Sequence, residues 1–231
     1  MEKENNQVSS TAITEQKESS FANGLNFYKL FWIFYIGCFA GVLVETIWCR
    51  VTNGFFESRT ALVLGPFNPV YGLGAVLITV CFVRFSNKKN ITIFLGCAVA
   101  GAVFEYFCSL FQELAFGTVS WSYDADSLGI LKRTSLVYAV FWGILGIVWV
   151  RVIYPNLSKW IEKIPNKVGK PLTWILMAMI SFDMLYSSAA VYRQEERRHH
   201  IPANNVIRQH FDANYPDERL KKIYPHMTPV G

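Results

Sequence analysis

The sequence predicts an all-α polytopic transmembrane bundle of about five spans, with an internal parallel repeat of two-span units. Of its 231 residues, 52% are hydrophobic and 16% aromatic, and several apolar segments approach the ~20 residues that a membrane helix needs. One phrase also occurs twice, since Gly41-Val-Leu-Val-Glu45 returns 60 residues later as Gly101-Ala-Val-Phe-Glu105. Recurrence of an acid one turn beyond a glycine, inside apolar runs, indicates duplication.

Polar segments flank the predicted bundle. Residues 1–26 are polar and cannot bury enough apolar surface to offset their ordering entropy, so we expect them to be disordered. Residues 193–231 form a polar tail with two short amphipathic helices, one around Val206 and one around Leu220. The bundle between them, residues 27–192, divides into repeat 1 at about 30–85, repeat 2 at about 91–154 and a fifth span at about 172–192.

Glycines in the first and third spans predict close helix packing. Gly37, Gly41 and Glu45 are spaced by four residues and share one helical face, and Gly101 has the same place in the third span. Small residues at this spacing allow helix backbones to approach closely. We expect the parallel copies to be related by a pseudo-twofold axis along the membrane normal, with the first and third spans meeting at the centre.

The entry into the second span is irregular in sequence. Two prolines and two glycines in eight residues are incompatible with an ordinary helix interior, and such backbone at membrane depth must be buried in protein or line a wet cavity. The predicted structural loop comprises Gly65, Pro66, Asn68, Pro69, Tyr71 and Gly72.

Polar residues inside the spans are the candidate binding groups. Glu45, Glu105 and Asp183 are acids within apolar segments, where each costs ~2.5–3.5 kcal/mol on insertion scales. In one interpretation these acids form a site for a cation, a proton or a substrate. In the other, each acid pairs with an arginine or a helix N-terminus and only holds the helices of the bundle together. Gln112 and Glu113 extend the polar face of the third span beyond Glu105.

A basic residue follows each glutamate of the repeat: Arg59 in the first copy and Arg133 in the second. These arginines bind an anionic headgroup or substrate, or they anchor the chain at the membrane interface. Ionised carboxylates that meet inside a membrane need a counter-charge. We therefore expect at least one glutamate–arginine pair within salt-bridge distance.

Several site classes are disfavoured. All five cysteines lie in apolar runs and all four histidines in the tail, so the sequence predicts no metal site, no disulfide and no cofactor. No phosphate-binding loop is present, so an ATPase for transport has to be a separate subunit. No arrangement of side chains typical of a catalytic nucleophile is discernible, which makes an enzyme the less favoured interpretation. The sequence also carries no signature of nucleic-acid binding.

Loop charges predict the orientation. The even-numbered loops carry eight basic residues and the odd-numbered loops four, which places the N-terminus and the even loops in the cytoplasm. Arg193, Arg197 and Arg198 of the tail oppose this assignment. The reverse orientation, or a sixth buried or re-entrant segment, would remove the conflict.

The motifs also resemble a known family. The run from Gly65 to Gly74, the paired Gly-x3-Glu phrases and the tail from Pro216 to Pro225 resemble bacterial membrane proteins labelled ABC-transporter type IV, or CmpB-like permeases. The resemblance covers about residues 27–227 and departs from the family pattern in the loop at Trp121. It implies a multi-pass protein of the bacterial plasma membrane, with membrane lipids, a separate ATPase subunit or further copies of the chain as partners.

The functional expectation is a permease that binds or moves a small solute near the paired intramembrane glutamates. Two alternatives stay open. One is a membrane-embedded enzyme acting on a lipid or lipid-linked substrate, which requires a lateral opening to lipid. The other is a structural or regulatory membrane subunit, in which the acids only pin helices together.

Overall fold

The computed structural model describes residues 19–123, 129–130 and 132–230, and almost all of the regular structure in these ranges is helical. Its helices are α1 (Phe27–Asn53), α2 (Pro69–Phe82), α3 (Asn90–Phe116), α4 (Leu136–Val148), α5 (Tyr154–Glu162), α6 (Asn166–Arg198), α7 (Val206–Asn214) and α8 (Asp217–Ile223). Two-residue strands form two antiparallel pairs, namely β1 (Thr118–Val119) with β4 (Thr228–Pro229), and β2 (Gly129–Ile130) with β3 (Thr134–Ser135).

Within the described ranges, four helical segments are long and apolar enough to cross a membrane: α1, α3, α6 and the continuous segment Leu136–Glu162. That last segment joins α4 to α5 through a π-helical turn, Trp149–Ile153. A shorter apolar helix, Pro69–Phe85, consists of α2 and a 3-10 turn. The protein is therefore an all-α, multi-pass membrane bundle, in which α2 is the short member of the five predicted spans.

The α1–α2 loop returns deep into the bundle before α2 begins. The Asn68 N–H donates to the Cys38 carbonyl at 3.0 Å, and Cys38 precedes the end of α1 at Asn53 by ~22 Å of helix. Asn68 then caps α2, since its side chain accepts from the Val70 N–H at 3.0 Å, and Pro69 occupies the first turn. The helix thus begins earlier than the irregular run to Gly72 suggested, while the loop before it returns to the level of Cys38 and is only partly buried.

Equivalent contacts hold the two hairpins α1–α2 and α3–α4. A Cβ added at Gly41 would lie 2.4 Å from the Tyr71 ring, and one added at Gly101 would lie 2.1 Å from the Trp142 ring. A second pair of contacts is equivalent in the same way: Phe34 lies against Gly72 in the first hairpin, and Phe94 lies against Gly143 in the second. In both pairs of contacts, the residues of the first helix differ by 60 positions and those of the second helix by 71. The predicted glycines therefore allow close approach within each hairpin.

The packing of the two hairpins differs from the expected central contact of the first and third spans. The largest contact of α1 is with α2, and the largest of α3 is with α4. Between the hairpins it is α2 that packs on α3 and on the π-helical turn. There the Trp149 indole N–H donates to the buried Thr79 hydroxyl at 2.9 Å. The reason is steric, because the glycine faces of α1 and α3 are already filled by aromatic rings of their own hairpins.

The segment before α1 is partly ordered, which corrects the expectation for residues 19–26. Phe21 and Ala22 are buried, and the Phe21 N–H donates to the Asn166 side chain at 2.6 Å. The Phe21 ring also lies against Gly169, where a Cβ would come within 2.4 Å. Two apolar side chains were sufficient to order this stretch. Residues 1–18 of the predicted tail lie outside the described residues.

The C-terminal tail folds beneath the bundle. Phe211 of α7, Tyr215 just beyond it and Leu220 of α8 pack with Ala190 of α6 in one buried cluster. The two amphipathic helices predicted from sequence therefore occur and pack on the bundle. We call the end of the bundle that carries the tail, the α1–α2 loop and the α3–α4 loop the loop end.

The tail arginines are neutralised within the tail. Arg193 pairs with Asp212 at 2.9 Å and with Glu196 at 3.0 Å, and Arg197 pairs with Asp212 at 2.7 Å and with Asp217 at 2.6 Å. These pairs explain why arginines accumulate at a span end that the charge rule leaves outside. The orientation itself stays a prediction.

Candidate functional site

The first cluster at the loop end forms around Glu45 of α1. Its carboxylate lies 3.4 Å from the Arg59 guanidinium, which also pairs with Glu57 at 2.9 Å. His226 of the tail contacts Glu57 at 2.7 Å. The expected glutamate–arginine pair is therefore present, and the loop folds back over the glutamate to make it.

The second cluster forms around Glu105 of α3 and has a different composition. One carboxylate oxygen accepts from the Tyr123 hydroxyl at 2.8 Å, and the other accepts from the Thr134 hydroxyl at 2.9 Å. Glu105 precedes the end of α3 by ~17 Å of helix, so the α3–α4 loop also reaches deep into the bundle. Among the described residues, no Lys, Arg or His nitrogen lies within 4.0 Å of this carboxylate.

Arg133 lies next to this cluster but binds elsewhere. Its guanidinium pairs with Glu113 and donates to the Ser109 hydroxyl at 3.1 Å. Gln112 donates to the hydroxyls of Thr118 and Ser120, at 3.3 and 2.8 Å. The polar face that the sequence indicates on the third span therefore holds the α3–α4 loop against α3.

Tyr123 of the α3–α4 loop donates a hydrogen bond to Glu105. Burial and the neighbouring Glu105 carboxylate raise the pKa of the Tyr123 phenol, and Glu45 adds a smaller effect of the same sign. The phenol therefore stays protonated and donates to Glu105.

Asp183 lies apart from both clusters and binds backbone. Its buried carboxylate accepts from the Leu64 N–H at 3.1 Å and from the Ser187 hydroxyl at 3.0 Å, and that hydroxyl accepts from the Val63 N–H at 2.9 Å. Two amides of the re-entrant α1–α2 loop thereby find acceptors on α6. This geometry matches the structural alternative for Asp183, because every contact serves the loop.

The predicted structural loop surrounds this attachment. A Cβ at Gly65 would lie 2.7 Å from the Phe67 ring and 3.6 Å from the Asp183 carboxylate. The Asn68 amide donates to the Arg59 carbonyl at 3.2 Å. Pro66 lies between Gly65 and Asn68 in the chain. Pro69, Tyr71 and Gly72 belong to the first turn of α2.

Sequence reasoning missed Tyr123 and Thr134, which supply the donors to Glu105. A signal for the second exists, since Arg59-Thr-Ala-Leu-Val63 recurs as Arg133-Thr-Ser-Leu-Val137. This repeated phrase aligns the two loops better than the arginines alone. Within the described residues, no group of three or more side chains able to hold a metal ion occurs.

Comparison with known proteins identifies the family. Residues 32–188 match the model of the family described as "Putative ABC-transporter type IV", and this range covers more than half of the chain. The chain belongs to this family. No curated protein and no solved structure matches it significantly. The match within the ABC-transporter type IV family runs from Trp32 in α1 to Ser188 in α6, and so includes Glu45, Arg59, Glu105 and Asp183 but not His226 of the tail.

Proposed function

We propose that this chain is the membrane-spanning permease of an ABC-transporter type IV system and that it binds a small cationic solute at Glu105. The observation that carries the proposal is the environment of that carboxylate. It is half-buried inside a span, it accepts two hydroxyl donors, and no basic side chain of the described residues neutralises it. A carboxylate in this setting is stabilised by a proton or by a bound cation.

The first cluster supports the assignment by contrast. Glu45 already has a counter-charge in Arg59, so binding a cation there would require an ion pair to be broken. Its role in the proposal is to hold the α1–α2 loop, together with Asp183. Re-entrant backbone beside broken helices is the arrangement in which many transporters build their solute sites.

Transport by this chain would need energy from elsewhere. The sequence holds no phosphate-binding loop, and the family description is that of an ABC transporter. A separate ATPase subunit is therefore the partner that we propose. Membrane lipids and further copies of the chain stay predictions, as do localisation to the bacterial plasma membrane and the alternative roles as a lipid-directed enzyme or a structural subunit.

The test is uptake by the protein reconstituted in vesicles, using a panel of labelled small organic cations. Glu105→Gln keeps the hydrogen-bond acceptor but removes the charge, so we expect at least a tenfold loss of uptake or equilibrium binding. Glu218→Gln is the matched control, because Glu218 is an exposed residue in the first turn of α8. Unchanged binding of every cation by the Glu105→Gln protein would refute the site.

A further inference from the structure

A groove along α4 adjoins the proposed site. It has a volume of about 340 Å³, and the residues that line it are apolar or aromatic: Tyr138, Phe141, Trp142, Ile144, Leu145 and Val148. All except Trp142 expose more than two fifths of their surface. These residues extend over ~15 Å of helix. The groove therefore opens laterally on the surface of the bundle, where lipid surrounds a membrane helix.

The loop end of this groove leads to Glu105. The rings of Tyr138 and Tyr123 lie 4.8 Å apart between centroids, and the Tyr123 hydroxyl is 2.8 Å from the Glu105 carboxylate. An apolar channel on the helix surface thus ends at two aromatic rings and then at a carboxylate that no described basic side chain neutralises.

We propose that the ligand is a single-chain amphiphilic cation, with its alkyl chain in the α4 groove and its ammonium group at Tyr123 and Glu105. This inference rests on the proposed function, which it makes more specific. Charge complementarity selects the head, because a carboxylate attracts an ammonium and repels an anionic head of the same shape. The paired rings of Tyr123 and Tyr138 add attraction for a cation, and the groove gives the alkyl chain apolar contact.

The existing hydrogen bonds leave lone pairs of the Glu105 carboxylate available to the ammonium head. Tyr123 and Thr134 bind different oxygens of Glu105, and each carboxylate oxygen has a second lone pair. The carboxylate therefore keeps acceptor capacity for an ammonium while both hydroxyls stay bonded. Because the groove opens sideways, the ligand would enter from the lipid phase rather than from water.

The experiment uses photo-crosslinking in vesicles of neutral lipid. The probe is a long-chain primary alkylammonium with a diazirine near the end of its chain, and the matched probe is an alkyl sulfate of the same length. We expect the ammonium probe to label residues 138–148, as read by peptide mass spectrometry, and unlabelled alkylammonium to compete. Labelling should fall at least tenfold with Glu105→Gln and with the sulfate probe.

Two groove variants test the place of the chain. Leu145→Trp fills the groove and should reduce labelling severalfold, whereas Leu185→Trp, at a position on α6 that is 73% exposed, should leave it unchanged. Equal labelling by both probes, or labelling of α4 that ignores Glu105→Gln, overturns the inference, because the groove then takes any lipid chain.

The two proposals fail in distinguishable ways. If Glu105→Gln abolishes binding of small cations but the alkylammonium probe does not label α4, the substrate class is wrong and the cation site stands. If Glu105→Gln changes neither the binding of small cations nor the labelling of α4 by the alkylammonium probe, both proposals are refuted.

Discussion

The two repeats contain the same glutamate and the same loop arginine but pair them differently. In the first, Glu45 and Arg59 lie 3.4 Å apart. In the second, Arg133 pairs with Glu113 instead, and Glu105 is bound by two hydroxyls. The two hairpins therefore share the positions of these charges but not the ion pair.

A difference in sequence on the first helix of each hairpin accompanies the difference in pairing. Glu113 lies two turns beyond Glu105 on the same face of α3, whereas the equivalent position of α1 is Asn53. Arg133 meets Glu113 nearer the end of the helix, where the desolvation cost of an ion pair is smaller. The comparison teaches that matched arginines take different partners, since Arg59 contacts both Glu45 and Glu57 whereas Arg133 pairs with Glu113.

The largest expected effect concerns the glycine–aromatic contact that the two hairpins share. Gly41→Leu and Gly101→Leu should each destabilise the protein by about 3 kcal/mol or more, because the added side chains meet the rings of Tyr71 and Trp142. Thermal unfolding in detergent measures this. Val99→Leu, at a position that is 66% exposed, should change little. Tolerance of one glycine substitution but not the other would break the equivalence of the hairpins.

The next effect separates the two re-entrant loops. Asp183→Ala should cost about 1–3 kcal/mol, because the Leu64 N–H and the Ser187 hydroxyl lose their shared acceptor. Asp183→Asn retains an oxygen and should cost less. Proteolysis should then cut the α1–α2 loop faster but leave the α3–α4 loop unchanged. Ser188→Ala, an exposed neighbour, is the control. Equal cutting of both loops would contradict their separate attachment.

A smaller effect compares the glutamates directly. Glu45→Gln should lower the free energy of unfolding by about 1–2 kcal/mol, because Arg59 loses a charged partner. Glu105→Gln should change it by less than about 0.5 kcal/mol, because an acceptor stays for the hydroxyl donors and no described ion pair is lost. Denaturant titration of both proteins measures the difference. A larger loss for Glu105→Gln would mean that its charge is structurally paired.

The smallest effect concerns the tail that covers the first cluster. Hydrogen bonds from Arg193, and then from Arg197, hold the pKa of Asp212 below its usual range. A lowered folded-state pKa gives stability that is present above the unfolded value of ~3.9 and is lost as pH falls through the folded value. Hydrogen exchange in α7 should therefore accelerate only below about pH 4, and Asp212→Asn should show the faster exchange at neutral pH. Acceleration already near pH 6 would point to another group.

The sequence alone determined the membrane class, the approximate spans and the glycines at the helix contacts. Long apolar runs leave few alternatives in a bilayer, and small-residue spacing is a local signal. The Glu45–Arg59 pair was also predictable, because the loop that carries Arg59 is short enough to return over the glutamate.

Only the tertiary structure decided which helices meet between the hairpins, how deep the loops reach and which partner each charge takes. The Asn68–Cys38 hydrogen bond and the attachment of Leu64 to Asp183 join residues that are distant in sequence. The choice of Arg133 between two carboxylates on one helix face depends on fractions of an ångström and on burial. The partner of each charge depends on the balance between desolvation and ion pairing in the folded protein, and residue spacing in the sequence does not predict that balance.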